Sequence, residues 1–330
     1  MFLVGKKFRL RNKVIVVGNS VINKDVLNTL SNNFEVISLS PKNFKGEFTD
    51  FQNTIAIWIH FDTFLESSFI DKIREVPFLI TTTTGLTHIS MEIQNHFGNR
   101  LISLRGRSDF LSNITATAEH AWELITFNNN FLNSLGSVAL GNWHRQEFIR
   151  PRQISTQTIG IIGFGRLGKM VANYSRAFKM KTLVYDIDNR VNKEANLQNF
   201  EVTNSVDELI SLSDIVSLHA SLKDNQEKIF SKQVLSLISK PTLLVNTARA
   251  GLVDEIAIVE EIKSKPYLTY RTDVMAFEED GSSIQDSLLW QESKQNQRIL
   301  ITPHMGGANK EAIDLCEKEL LRYFLKLAAS

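Results

Sequence analysis

Short runs of apolar, mostly β-branched residues recur along the chain, separated by stretches with helical spacing. "KVIVV" at 13–17 reads as a buried strand, "INKDVLNTLSNN" as a helix and "FEVISLS" as a second strand. "TIAIWIHF" at 54–61 predicts a third strand and "ESSFIDKI" a helix. "PFLITTTT" predicts a strand ended by Gly85, and "NRLISL" adds another. The stretch 116–135, "ATAEHAWELITFNNNFLNSL", predicts one long helix leading out of this region. "QTIGIIGFGRLGKMVANYSRAFKMKTLVYDID" then opens a second unit, whose later strands fall in "DIVSLHA", "TLLVNTA", "YLTYRTDV" and "RILITPH". A last helix begins near Lys310 with no strand after it, placed to return to the first domain. Strands alternating with helices argue for an α/β protein with mostly parallel sheets and helices on their faces.

Composition narrows the partners. A chain of 330 residues is long enough for two domains with separate cores. Its 37 basic and 36 acidic side chains nearly cancel, so neither nucleic acid nor an anionic membrane surface is expected as a partner. The single cysteine, Cys316, excludes an internal disulfide and suits a reducing compartment. It lies in an amphipathic helical pattern and reads as a small buried residue. The amino terminus "MFLVGKKFRL" is too short and too charged for a signal peptide. No apolar run reaches the roughly 18 residues that a membrane span needs, so the cytoplasm is the expected location.

"GFGRLG" carries the first candidate chemistry, with Gly163, Gly165, Arg166, Leu167 and Gly168 between the strand "TIGII" and a helix. Gly163 permits a tight turn, Gly165 lets backbone approach a pyrophosphate, and Gly168 lets helix and strand pack closely. Unpaired amides at the helix start would hold the phosphate charge. The next apolar strand ends in Asp186, placed to accept hydrogen bonds from an adenosine ribose and to repel a 2'-phosphate. This favours NAD over NADP, with Arg190 nearby as a guanidinium that would offset that repulsion.

With "GIIGFGRLG", "VNTARAGLVDE" and "ITPHMGGA" in this order, the sequence resembles the D-isomer-specific 2-hydroxyacid dehydrogenases over nearly all its length. That family includes phosphoglycerate, D-lactate and glyoxylate/hydroxypyruvate reducing enzymes. No counterpart of the additional carboxy-terminal regulatory domain of some phosphoglycerate dehydrogenases is expected. The resemblance implies two Rossmann-like domains with parallel sheets, the nucleotide domain (112–301) inserted into a substrate domain (1–111, completed by 302–330). It implies a catalytic set of Arg249 from "NTAR", Glu278 after "RTDVMAF" and His304 from "TPHMGG". Arg249 would clamp the substrate carboxylate and polarise its carbonyl, His304 would act as acid and base, and Glu278 would orient the imidazole. His219, Thr247 and Asp273 are the further NAD contacts, and no metal is expected. His60, Phe61, Thr84 and Gly85, after two strands of the first domain, are the candidate substrate contacts.

The first domain departs most from the family pattern. Ser90 stands where an aspartate is common, Ile114 replaces a threonine, and "RGRSDFLS" is more charged than the usual loop. Farther on, Ser221, Ala250 and Glu279 occupy positions of a usual proline, glycine and proline. None of these removes a reacting group, but they loosen any transfer of substrate identity. The expected activity is interconversion of a D-2-hydroxyacid and its 2-oxoacid by a homodimer, paired through the region of 116–135. The alternative is an NAD(H)-sensing, corepressor-like interaction protein on the same fold.

Overall fold

The computed structural model describes residues 12–18, 22–46, 48–150, 152–222, 227–280 and 282–329, with the side chains of Glu279 and Asp280 outside the description. The amino-terminal segment "MFLVGKKFRL" also lies outside the described residues. The chain divides into two compact units, a first of 1–113 with 310–330 and a second of 114–309. Sequence reasoning set the boundaries after 111 and after 301. The second boundary falls later, so "TPHMGG" and His304 belong to the second unit.

In the first unit, five apolar runs become the strands β1 (Lys13–Val17), β2 (Glu35–Leu39), β3 (Thr54–Ile59), β4 (Phe78–Thr81) and β5 (Leu101–Ile102). They pair in parallel in the order β2-β1-β3-β4-β5. The central strands are apolar on both faces because helices cover both faces of a parallel sheet. Ile15, Val17, Ile57, Ile59 and Leu79 meet Phe44, Phe69 and Phe97 in one core. Ser90 caps the helix Met91–Phe97, accepting the Ile93 amide. The carboxy-terminal helix Lys310–Ala328 packs here too: the Phe324 ring lies 5.7 Å from Phe34 and 5.8 Å from Phe78. Cys316 is buried on this helix.

In the second unit, seven strands form one parallel sheet: β6 (Thr158–Ile162), β7 (Lys181–Tyr185), β8 (Glu201–Val202), β9 (Ile215–Leu218), β10 (Thr242–Asn246), β11 (Leu268–Thr272) and β12 (Ile299–Ile301). The order is β12-β11-β10-β9-β6-β7-β8. The chain therefore winds outward from β6 in one direction, then returns to β9 and winds in the other. Such a doubly wound sheet opens a crevice at the carboxyl ends of the two strands where the order reverses, here β6 and β9. Each face has its own core: Ile159 and Ile161 face one, Ile162 and Leu218 the other. Among the described residues no helix is long and apolar enough to cross a membrane.

The long helix expected over 116–135 is two helices, Ala116–Thr126 and Asn129–Ala139. Phe127 leaves the helical conformation at φ −52° and ψ 139°. The buried Arg271 of β11 points its guanidinium at this break and donates to the carbonyls of Leu124 and Phe127, the latter at 2.9 Å. Asn128 then starts the second helix by accepting the Asn130 amide (3.1 Å). Helical periodicity runs through the break, so only the distant arginine reveals it. Arg271→Met keeps the apolar stem but leaves those carbonyls without a charged donor. The two bonds, at about 1.5–3 kcal/mol for each bond to a charged group, give an expected cost of roughly 3–6 kcal/mol. Urea unfolding measures this, and an unchanged midpoint contradicts the role given to Arg271.

Candidate active site

The loop after β6 is built around two close approaches. Gly163 has φ +90°, and a Cβ there would lie 2.6 Å from the Ala220 nitrogen at the end of β9. A Cβ on Gly168 would lie 2.0 Å from the Gly163 carbonyl oxygen, so helix and loop pack backbone to backbone. Around Gly165 the space is open, with nothing within 4 Å of a Cβ position. Gly165 is also the N-cap of the helix Arg166–Ala177, which has no side-chain cap and no acid in its first turn. Its first amides thus face the crevice with the helix dipole behind them.

Asp186, just past β7, accepts the Phe164 amide of this loop (2.8 Å) and the Asp188 amide (2.9 Å). The carboxylate is thereby fixed beside the glycine turn. Arg190 forks onto Asp188, with contacts of 2.7 to 3.2 Å, rather than onto the loop. The Arg166 guanidinium donates to the Ile114 carbonyl (2.7 Å), and the Leu167 side chain packs against the core, so these two residues offer the crevice backbone. His219 follows β9; its Nε2 lies 2.9 Å from Ser217 Oγ, and burial pushes its imidazole down to about 4. It is neutral at physiological pH. Thr247 follows β10, and its buried Oγ1 has no hydrogen-bond partner among the described residues. A buried hydroxyl in that state fits a polar group supplied from outside the chain.

Arg249, Glu278 and His304 follow three adjacent strands, β10, β11 and β12. His304 Nδ1 is hydrogen-bonded to Glu278 Oε2, while Glu278 Oε1 accepts the Met275 amide (2.8 Å). Glu255 accepts the Ala276 amide (2.7 Å) and steadies the same loop. The Arg249 guanidinium donates to the Ala248 carbonyl (2.6 Å) and lies within electrostatic reach of His304. The hydrogen bond to Glu278 raises the His304 pKa above that of a free imidazole. Burial opposes this, the charges of Glu278 and Asp273 add to it, and Arg249 works against it.

His304 has φ +48°, a conformation that costs a non-glycine residue of order 1–3 kcal/mol. Asp273 holds it there. The amides of Met305 (2.8 Å) and Gly306 (2.7 Å) donate to its carboxylate, as does Thr302 Oγ1 (2.7 Å). His120 completes the set with Nε2 3.2 Å from Asp273 Oδ1. Bonds to a charged acceptor contribute about 1.5–3 kcal/mol each, so the set outweighs the backbone strain. Burial works against the Asp273 charge, but these donors prevail and hold its carboxyl below the usual range. His120, Thr302 and Glu255 were not among the residues that sequence reasoning selected. The one available signal was a histidine on the buried face of the helix Ala116–Thr126.

The first-unit candidates separate into two kinds. Phe61 and Thr84 are exposed beyond the carboxyl ends of β3 and β4, and Gly85 is half-buried, its carbonyl accepting from Thr83 Oγ1 (2.7 Å). His60 instead turns inward and is only 5% exposed. Its ring packs so tightly on Gly18 that a Cβ there would lie 2.7 Å from it, and its Nε2 is 4.0 Å from the buried Glu317.

Residues 121–306 match the family described as "D-isomer specific 2-hydroxyacid dehydrogenase, NAD binding domain". The chain belongs to this family. Hydroxypyruvate reductase of Thermotoga maritima is 28% identical over 262 residues, which are 78% of this chain and 80% of that protein. Glycerate dehydrogenase of Methylorubrum extorquens is 30% identical over 195 residues, 56% of either chain. That relative is thus matched over little more than half its length. In fold, the D-lactate dehydrogenase from Aquifex aeolicus, complexed with NAD and lactic acid, superposes with a TM-score of 0.77. The match covers 96% of this chain and 95% of that one, at 22% identity.

NAD is the cofactor of the matched domain, and the residues here fit it. The space at Gly165, the uncapped helix start, the Asp186 carboxylate and the unpartnered Thr247 hydroxyl are the supporting observations. A testable consequence concerns His304. Its partner raises its pKa, so its charged form persists to higher pH than in a free imidazole. Glu278→Gln removes the charge and should lower the titration midpoint of His304, followed by NMR of histidine-labelled protein. A midpoint equal to that of the parent contradicts the assignment of Glu278 as its dominant partner.

Proposed function

We propose that this protein is an NAD-dependent dehydrogenase interconverting a D-2-hydroxyacid and its 2-oxoacid. The observation that carries the reading is the grouping of Arg249, Glu278 and His304 beyond β10, β11 and β12, in one unit with the dinucleotide loop. In this reading the backbone of Gly163, Gly165, Arg166, Leu167 and Gly168 holds the pyrophosphate, and Asp186 takes the adenosine ribose. His219, Thr247 and Asp273 bound the remaining part of the cofactor site. The hydride is the contribution of the nicotinamide.

The residues of the chain supply binding, charge and the proton. Arg249 grips the substrate carboxylate with paired donors and draws electron density from the neighbouring carbonyl. With Nδ1 committed to Glu278, His304 delivers its proton from Nε2 to the carbonyl oxygen, and recovers it in the reverse direction. The hydrogen bond to Glu278 raises the pKa of His304, so its charged form, which suits reduction, persists to higher pH than in a free imidazole, and oxidation gains as pH rises through that pKa. Phe61, Thr84 and Gly85 are our candidates for further substrate contacts, since the His60 ring is buried.

A panel of small 2-oxoacids with NADH, followed by absorbance and chiral product analysis, tests the reading. We expect a D-product. His304→Gln should slow turnover at least about 100-fold, the usual scale for a positioned acid. Arg249→Lys should mainly raise KM, because an ammonium lacks the two-pronged contact. An L-product, or full activity without His304, overturns the reading.

We also propose that two copies pair through the segment after Phe127. Phe131, Leu132, Leu135 and Val138 share one face of the helix Asn129–Ala139, each at least half exposed, and no residue of that helix is buried. Leu140, Trp143 and Ile149 extend the apolar surface, Trp143 at 85% exposure. A self-complementary apolar patch of this kind suits a twofold interface. Light scattering should give twice the 37.5 kDa of one chain, and Leu135→Asp should halve the mass. A parent mass of one chain contradicts the pairing.

A further inference from the structure

A second histidine contacts the carboxylate that holds the His304 loop. His120 sits on the helix Ala116–Thr126, buried, with each ring nitrogen next to acceptors. Nε2 lies 3.0 Å from Thr302 Oγ1 and 3.2 Å from Asp273 Oδ1. Nδ1 lies 3.1 Å from Oε2 of Glu123, which reaches solvent. Thr302 Oγ1 spends its own proton on Asp273, so it accepts from His120. A ring with acceptors at both nitrogens is best satisfied when both carry protons. The imidazolium is the form that meets every contact.

We infer that His120 is a positioning residue: its positive charge and hydrogen bonds fix the Asp273 carboxylate, and through it the placement and proton affinity of His304. Two chains of contact carry this. The mechanical one runs from His120 to Asp273 to the amides of Met305 and Gly306, which follow His304 directly. The electrostatic one runs through charge compensation. The charges acting on His304 are Glu278, Asp273 and Arg249; those acting on His120 are Asp273 and Glu123. Asp273 is common to both sets. A charged His120 cancels much of the field that Asp273 would otherwise impose on His304, and holds the catalytic imidazole closer to neutrality. The hydrogen bond to Asp273 raises the His120 pKa; burial opposes, and Glu123 adds to the rise.

The inference rests on His304 being the proton donor, but its test needs no turnover. We would titrate both histidines by NMR in the parent and in His120→Gln. Glutamine presents an amide donor where Nε2 was and removes the charge. We expect His120 to be charged at pH 7 in the parent. In the glutamine variant the His304 midpoint should rise by roughly half a pH unit or more, the effect of one uncompensated charge in a partly buried site. Once a substrate is known, the basic limb of its reduction profile should rise in step. His120→Ala, which also frees the loop, should lower kcat by roughly tenfold while KM for NADH moves less. A neutral His120 at pH 7 in the parent, or a His304 midpoint within about 0.2 pH units of the parent in the glutamine variant, overturns the inference. The parent titration stands alone if the variant does not fold. Absence of turnover on every 2-oxoacid would instead strike the dehydrogenase reading and leave these midpoints readable.

Discussion

One buried carboxylate organises the chemistry of this chain. Asp273 ends β11 and accepts from two backbone amides, a threonine hydroxyl and an imidazole. An ionised carboxylate leaves water only when such donors replace the lost solvation. Here the donors come from three places: the helix Ala116–Thr126, the end of β12 and the loop beyond it. Satisfying Asp273 therefore fastens the loop, and the fastened loop holds His304 at a backbone angle it would not otherwise adopt. Glu278 then fixes the ring through Nδ1. His304, the proposed proton donor, is consequently held from behind by its backbone and from one side by its ring.

The sheet supplies the remaining constraint. Because its winding reverses between β6 and β9, the strand ends on either side of that line face one crevice. The dinucleotide loop lies on one side of it, beyond β6, and the three candidate catalytic residues lie on the other, beyond β10, β11 and β12. Gly163 and Gly168 make this possible by letting backbone replace side chain at the tightest points. The buried Thr247 hydroxyl, just past β10, has no hydrogen-bond partner among the described residues. A buried hydroxyl in that state fits the proposed contact with the cofactor.

Much of the architecture was legible because its signals are local. Apart from the two-residue β8, each strand of the two sheets lies in a short apolar run, and the glycine spacing with Asp186 after the next strand is a linear pattern. What escaped was set by residues far apart in the chain. The break at Phe127 depends on Arg271 reaching back from β11, while the amphipathic pattern continues past it. His60 turns inward onto Gly18, far earlier in the chain, and toward Glu317 of the last helix. His120 looked like one more polar residue on a helix, because the acceptors that give it a role lie beyond β11 and β12. Motifs put Arg249, Glu278 and His304 forward as residue types, but the strand order that brings them to one edge of one sheet is a property of the fold.

The central claim is direct transfer of a hydride between a 2-hydroxyacid and NAD, with the chain providing proton and clamp. The most direct measurement uses D-glycerate or D-lactate deuterated at C2, incubated with the protein and NAD, and mass analysis of the reduced nucleotide. The account predicts NADH that carries the deuterium. NADH without deuterium, formed from substrate that remains fully labelled at the start of the reaction, would contradict it.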